Sequence, residues 1–337
     1  MKTLRDGYKR IIDYMRVSIT DRCNLRCIYC MPPEGLRPIR HKEILRYEEI
    51  LRVARVAVKV GVRRIRITGG EPLVRRDVSH LIAQLSAIED LQDLSLTTNG
   101  ILLEDHAEEL ARAGLSRVNV SLDSLRPERY REITRGGDLG AVLRGIDAAR
   151  KAGLEPIKIN MVPVRGINDD EIADFSRLTL ELPYQIRFIE FMPFGSRELW
   201  SPERFISSDE MRSLVEKIAP LQPAGHDREG PARYFKLEGA AGMLGFISPL
   251  SNHFCAECSR LRLTADGKLR PCLFSETEID LKPALRSGAG DSEIERMIKL
   301  SAEIKPKGHE IRIQDPGLRK LMQARNKTLK PMSQIGG

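Results

Sequence analysis

Six cysteines fall into two groups of three, Cys23, Cys27 and Cys30, then Cys255, Cys258 and Cys272, with none left over. In a chain read as cytoplasmic, where thiols stay reduced, such groups suit a metal or cluster better than disulfides. The first group, Cys23-Asn-Leu-Arg-Cys27-Ile-Tyr-Cys30, cannot complete a tetrahedral zinc site alone, and its loop holds no histidine. Three thiolates do suit a four-iron cluster whose fourth iron stays open for a substrate. The second group is a C-x2-C pair followed by thirteen residues and Cys272. A zinc ribbon would need another pair, although His253 could serve as a fourth ligand. A second open-sited cluster is the alternative.

The elements that must position these thiols read as βα units. Strand-like runs cover Met15 to Thr20, Arg64 to Thr68, Leu94 to Thr98, Arg117 to Leu122, Ile157 to Met161 and Ile186 to Met192. Helical runs separate them; in Tyr47 to Val60, Ile50, Leu51, Ala54, Ala57 and Val58 share a face before Gly61. Crossovers of this kind imply a parallel sheet. Several strands alternate, with Arg16, Ser18 and Thr20, Arg64, Arg66 and Thr68, Ser95 and Thr97, Asn119, Ser121 and Asp123, and Lys158 and Asn160 on one face. A closed barrel filled by aliphatic layers would not tolerate such a face, so the expected fold is α/β, a partial, open TIM-like βα barrel with a polar lumen. The first triad then sits at the mouth of that lumen, just after the first strand. Beyond about residue 200, prolines and glycines change the rhythm, which places a boundary near 225: a core domain over 5–225 and a C-terminal domain over 226–337.

Hydrophobic residues make up 41% and charged residues 30% of the 337, a balance suited to a globular chain. No apolar run approaches the roughly 18 residues that span a bilayer, and the first sixteen residues lack a signal-peptide core. The net charge of +8 favours an anionic partner, whether nucleic acid, anionic lipid or phosphorylated metabolite, and is spread without a polybasic arm. A zinc-stabilised nucleic-acid binder would have no use for a polar-lined βα lumen, so no nucleic-acid and no membrane partner is expected.

The C-x3-C-x2-C spacing, with Tyr29 before the last cysteine and Thr68-Gly-Gly-Glu-Pro72 after the second strand, resembles the radical S-adenosylmethionine (SAM) superfamily. That resemblance implies SAM chelated by the open iron and split on one-electron reduction to a 5′-deoxyadenosyl radical, with Tyr29, Gly70, Ser121 and Met192 lining the SAM site. Adding Asp21-Arg-Cys-Asn24, Arg66 to Pro72, Thr97-Thr-Asn-Gly100, Asn119-Val-Ser-Leu-Asp123, Phe188-Ile-Glu-Phe-Met192, the second triad and the terminal Gly336-Gly337, the chain is similar to the GTP 3′,8-cyclase family. This implies two [4Fe-4S] clusters on the two triads, GTP held between them, and cyclisation of the ribose C3′ onto guanine C8 in the first step of molybdenum cofactor synthesis.

The resemblance assigns GTP contact to Arg16, Arg66, Thr97, Lys158, Arg260, Leu261 and Arg262, and a catalytic part to Arg260, Arg262, Gly336 and Gly337. Any one of these arginines could instead pair internally with Glu71, Asp123 or Glu190. It further implies an electron donor, cyclic pyranopterin monophosphate synthase as the downstream enzyme, and a monomer or homodimer. A radical SAM enzyme that modifies tRNA or a peptide is the alternative; such enzymes usually carry further modules or cysteines, which this sequence lacks.

Overall fold

Period-two alternation needs two different neighbours, one apolar and one polar, and the computed structural model, which describes residues 2–194, 199–226 and 230–311, supplies both. Strands β1 (Tyr14–Ser18), β2 (Arg64–Thr68), β3 (Asp93–Thr98), β4 (Arg117–Ser121), β5 (Lys158–Met161) and β6 (Gln185–Ile189) follow the expected runs. Each pairs in parallel with the next. β1 stops at Ser18, two residues before the expected end, because the Thr20 carbonyl accepts from the Gly70 N–H at 2.8 Å. β6 ends at Ile189 instead of Met192, where Glu190 turns its carboxylate to the backbone of 208 and 250–251.

Helices α1 (Tyr47–Val60), α2 (Val78–Ser86), α3 (Leu103–Arg112), α4 (Pro127–Thr134), α5 (Leu139–Lys151) and α6 (Ile172–Glu181) cover the apolar face. Val17, Ile65, Ile67, Leu96, Val118, Val120, Ile159 and Phe188 join the buried helix faces in one core. The end of α1 needs glycine: Gly61 has φ 125°, and a Cβ there would lie 2.7 Å from the Leu4 nitrogen.

The C-terminal third completes the same sheet. After α7 (Ser208–Val215) come β7 (Leu221–His226), β8 (Ala232–Leu237), β9 (Met243–Ile247), β10 (Arg260–Leu263), β11 (Lys268–Arg270) and β12 (Ile279–Asp280), then α8 (Lys282–Arg286) and α9 (Asp291–Glu303). β9 lies parallel to β6 and β10 parallel to β1. The result is eight parallel strands, β10-β1-β2-β3-β4-β5-β6-β9, edged by antiparallel β11 and β12 on one side and β8 and β7 on the other. Among the described residues no ladder joins the two edges, so the sheet is open. It is nevertheless curved, because Arg262 of β10 and Tyr234 of β8 line one cavity together with β1 to β6. The boundary expected near residue 225 falls in β7, and one sheet runs across it. No described helix is long and apolar enough to cross a membrane.

Ile65 is fully buried between this sheet and its helices. Ile65→Ala should lower unfolding stability by about 2–5 kcal/mol, read from urea denaturation, through lost transfer energy and the cavity left behind.

Candidate active site

The first triad lies in the loop between β1 and α1, as three partly buried cysteines in no disulfide. Two neighbours hold that loop. From α4 and its end, the Thr134 and Ile133 carbonyls accept the Arg26 and Ile28 N–H groups at 3.1 and 2.9 Å. From the turn after β2, the Gly70 and Glu71 N–H groups donate to the Thr20 and Arg22 carbonyls, both at 2.8 Å. A Cβ on Gly69 would lie 2.5 Å from Thr20 O, and one on Gly70 only 2.2 Å from Arg22 O. The two glycines therefore seat the cysteine loop on the turn, a packing role beside the ligand approach expected for them.

Glu71 is buried beneath this junction and accepts from the Leu73 N–H, the Thr98 hydroxyl and the Asn99 N–H at 3.0, 2.8 and 2.7 Å. Burial pushes its carboxyl up to about 7 in spite of those bonds. Asn99 in turn donates to Asn24 Oδ1 at 2.7 Å, within the cysteine loop. Tyr29 donates to Asp123 Oδ2 at 2.5 Å, tying the loop to the end of β4, and burial pushes the Asp123 carboxyl up to about 6.

The second triad is mounted on β10 and β11. Cys255 and Cys258 bracket a single turn just before β10, and Cys272 follows β11. Burial pushes the Cys258 thiol up, but the charges of Arg260 and Lys305 outweigh it and bring it down to about 6. Four ligands around one zinc would bring thiolate sulfurs to about 3.8 Å of one another. Among the described residues, the one group with donor atoms all within 4.8 Å is His253, Cys255 and His309. Neither triad is gathered around a single ion, and His253 completes no site with Cys258 and Cys272. Two sets of three thiols, spread wider than one ion requires and open to one cavity, fit clusters.

All six cysteines line that cavity, as do Tyr29, Gly70, Ser121 and Met192, and Arg16, Arg66, Thr97, Lys158, Arg260 and Arg262. Leu261 does not: its side chain is fully buried in the core on the opposite face of β10, so only its backbone is available to a ligand. Gly336 and Gly337 lie outside the described residues.

Strand register makes the polar face a charge row. Arg262, Arg16 and Arg66 are direct neighbours across β10, β1 and β2. The internal ion pairs that could have explained Arg16 and Arg66 are not formed among the described residues. Glu71, Asp123 and Glu190 are taken by hydroxyl and backbone donors, and Arg16 and Arg66 have no carboxylate partner among the described residues. Arg66 donates to the Ser95 hydroxyl at 3.1 Å, while the Arg16 Nε, the Tyr14 hydroxyl and the Thr97 hydroxyl are buried without a partner. Burial and neighbouring guanidinium charges hold Arg16 well below its ordinary value and bring Arg262 down to about 10. Crowded cations without anions are costly in isolation and favourable once a polyanion arrives.

Three lining residues were missed in the sequence. Arg187 continues the β6 alternation and donates to Asn119 and Asn160 at 2.5 and 2.8 Å, a position its spacing could have revealed. Tyr14 precedes the expected start of β1. Lys305 follows α9 and carries no sequence signal at all.

Curved parallel sheet, cysteine loop after β1 and glycine turn after β2 together define a radical SAM protein. The model described as "Radical SAM superfamily" matches residues 17–179, and "Molybdenum Cofactor Synthesis C" matches 184–311. The crystal structure of Streptococcus suis SuiB bound to S-adenosylmethionine superposes with a TM-score of 0.61 over 84% of this chain and 67% of that one, at 15% identity, a likeness of fold alone. A GTP 3′,8-cyclase of Thermodesulfovibrio yellowstonii is 52% identical over 99% of this chain and all of its own length. One from Pelotomaculum thermopropionicum is 49% identical over the same shares. The chain belongs to the GTP 3′,8-cyclase family.

The raised carboxyl of Glu71 has a stability consequence with a definite sign. Its pKa rises on folding from 4.5 to about 7, so its stabilising contribution is complete below pH 4.5 and is lost as pH climbs through 7. Wild type should lose on the order of 3 kcal/mol more than Glu71→Gln between pH 4.5 and 7.5, measured by urea unfolding of the apoprotein at each pH.

Proposed function

We propose that the chain cyclises GTP to (8S)-3′,8-cyclo-7,8-dihydroguanosine 5′-triphosphate, with one [4Fe-4S] cluster on Cys23, Cys27 and Cys30 and a second on Cys255, Cys258 and Cys272. The observation that carries this reading is the row Arg262, Arg16 and Arg66, three guanidinium groups side by side in a cavity that both triads line. Such a row suits a triphosphate, since guanidinium forks match phosphate oxygens. When bound, the first cluster and SAM supply a radical able to take hydrogen from the ribose C3′.

The protein's own part is to bind and orient. Tyr29, Gly70, Ser121 and Met192 line the SAM end of the cavity, and the Tyr29–Asp123 bond fixes the loop from which the first thiols project. Arg16, Arg66, Thr97, Lys158, Arg260 and Arg262, with the backbone of Leu261, receive GTP, and Arg260 and Arg262 serve the reacting end together with the Gly336-Gly337 tail. Holding ribose and base between two fixed points gives the ring closure its proximity. The same reading takes 5–225 as the radical SAM core and 226–337 as the region bearing the second cluster. It also carries an external electron donor, cyclic pyranopterin monophosphate synthase as the next enzyme, a cytoplasmic location and a monomeric or homodimeric state.

The test is anaerobic incubation of the reconstituted, reduced protein with SAM and GTP, other nucleotides serving as controls, followed by detection of the cyclised nucleotide; none formed would sink the reading. Cys27→Ala should form no 5′-deoxyadenosine, whereas Cys258→Ala should lose cyclisation and retain uncoupled SAM cleavage. Arg66→Ala should raise KM for GTP about tenfold or more, the worth of one charged hydrogen bond, with a smaller change in KM for SAM.

A further inference from the structure

Lys305 is 3% exposed, at the close of α9, and its ammonium has no carboxylate partner among the described residues. Its Nζ donates to the Arg260 carbonyl at 2.8 Å and to the Pro271 carbonyl at 2.6 Å. One carbonyl opens β10, two residues after Cys258, and the other follows the end of β11, immediately before Cys272. The ammonium lines the same cavity as Cys258 and Cys272, and its positive charge favours the Cys258 thiolate. One buried cation thus spans both segments that carry the second triad.

A second cation on the same loop shows the contrast. Arg10 donates to the Cys255 carbonyl at 2.6 Å and to the Lys307 and Pro306 carbonyls at 2.9 and 2.6 Å. It is neutralised by Asp6 at 2.5 Å, so it clamps the loop without adding net charge. Lys305 has no such partner. Burying an ammonium is unfavourable unless an anion balances it, and the anions within reach are the Cys258 and Cys272 thiolates.

We propose that Lys305 is the resident counter-charge of the second cluster, positioning the Cys258 and Cys272 segments and favouring the cluster's reduced, more negative state. The inference rests on the reading of the second triad as cluster ligands. A fixed positive charge against a sulfur ligand lowers the free energy of the reduced form more than that of the oxidised form, as hydrogen bonds to cluster sulfurs do. Lys305 is a positioning residue and not a catalytic one, because it faces sulfur and backbone and leaves the reacting atoms to others.

The test uses the full-length chain with Cys23, Cys27 and Cys30 all changed to Ala, so that the second cluster alone is observed. The background is reconstituted anaerobically, assayed for iron, and titrated potentiometrically with electron paramagnetic resonance detection. Lys305→Gln, which keeps donors for the two carbonyls and removes the charge, should lower the ratio of reduced to oxidised cluster at a fixed potential by about tenfold, equivalent to about 59 mV for a one-electron couple. Lys305→Arg should restore most of that fraction. A cluster lost in Lys305→Gln but retained in Lys305→Arg supports the same counter-charge role. An iron-free background overturns the ligand assignment and the inference with it. A loaded background with an unmoved potential in Lys305→Gln, or loss of the cluster from both variants, overturns the inference alone.

Discussion

Positive charge crowded onto the inner face of a curved sheet sets the terms for the rest of this molecule. Arg262, Arg16 and Arg66 stand side by side because three parallel strands are in register, and their repulsion is tolerable only in a cavity that admits water or an anion. Aliphatic layers could not fill that space. The carboxylates that might have quenched the row are instead committed to hydroxyls and backbone at its margins, Glu71 and Asp123 beside the first cysteine loop and Glu190 at the end of β6. The division of labour is electrostatic: acids build the frame and bases face the ligand.

The two triads reach the cavity by different means. The first depends on close backbone contact, the loop of 20–22 resting on Gly69 and Gly70. The second depends on cations drawn from distant parts of the chain, Arg10 from its beginning and Lys305 from after its last described helix. The Cys258 thiol, held low by Arg260 and Lys305, lies in a field prepared for thiolate, whereas burial pushes the Cys23 thiol up to about 11. A metal would therefore have to do more of the deprotonation at Cys23 than at Cys258.

Much of this arrangement was legible in the residues, and the parts that were not share a physical cause. β1 to β6 announce themselves because each alternates between a helix-covered face and a wet one, so that positions 16 and 66 could be put on one polar face from spacing alone, while their register came from the fold. Arg260-Leu-Arg-Leu263 has the same alternation, but four residues between cysteines look like a ligand strip, and only the fold shows a strand that sends Leu261 to the core. Arg187 was readable in principle and overlooked. Lys305 was not readable, since its meaning comes from where the chain returns after α9 and from no pattern around it. Local periodicity is written in sequence; a long-range return is not.

The placement of β10 beside β1 also bears on how the chain is made. As the polypeptide leaves the ribosome, β1 to β6 can assemble in order, yet the outer flank of β1 gains its parallel neighbour only when residues 260–263 emerge, and β6 waits likewise for 243–247. Until then the strand that launches the first cysteine loop is an unguarded edge, able to pair with another nascent copy. A chain truncated before residue 243 would keep every contact that seats the first cysteine loop and still leave both β1 and β6 as open pairing edges.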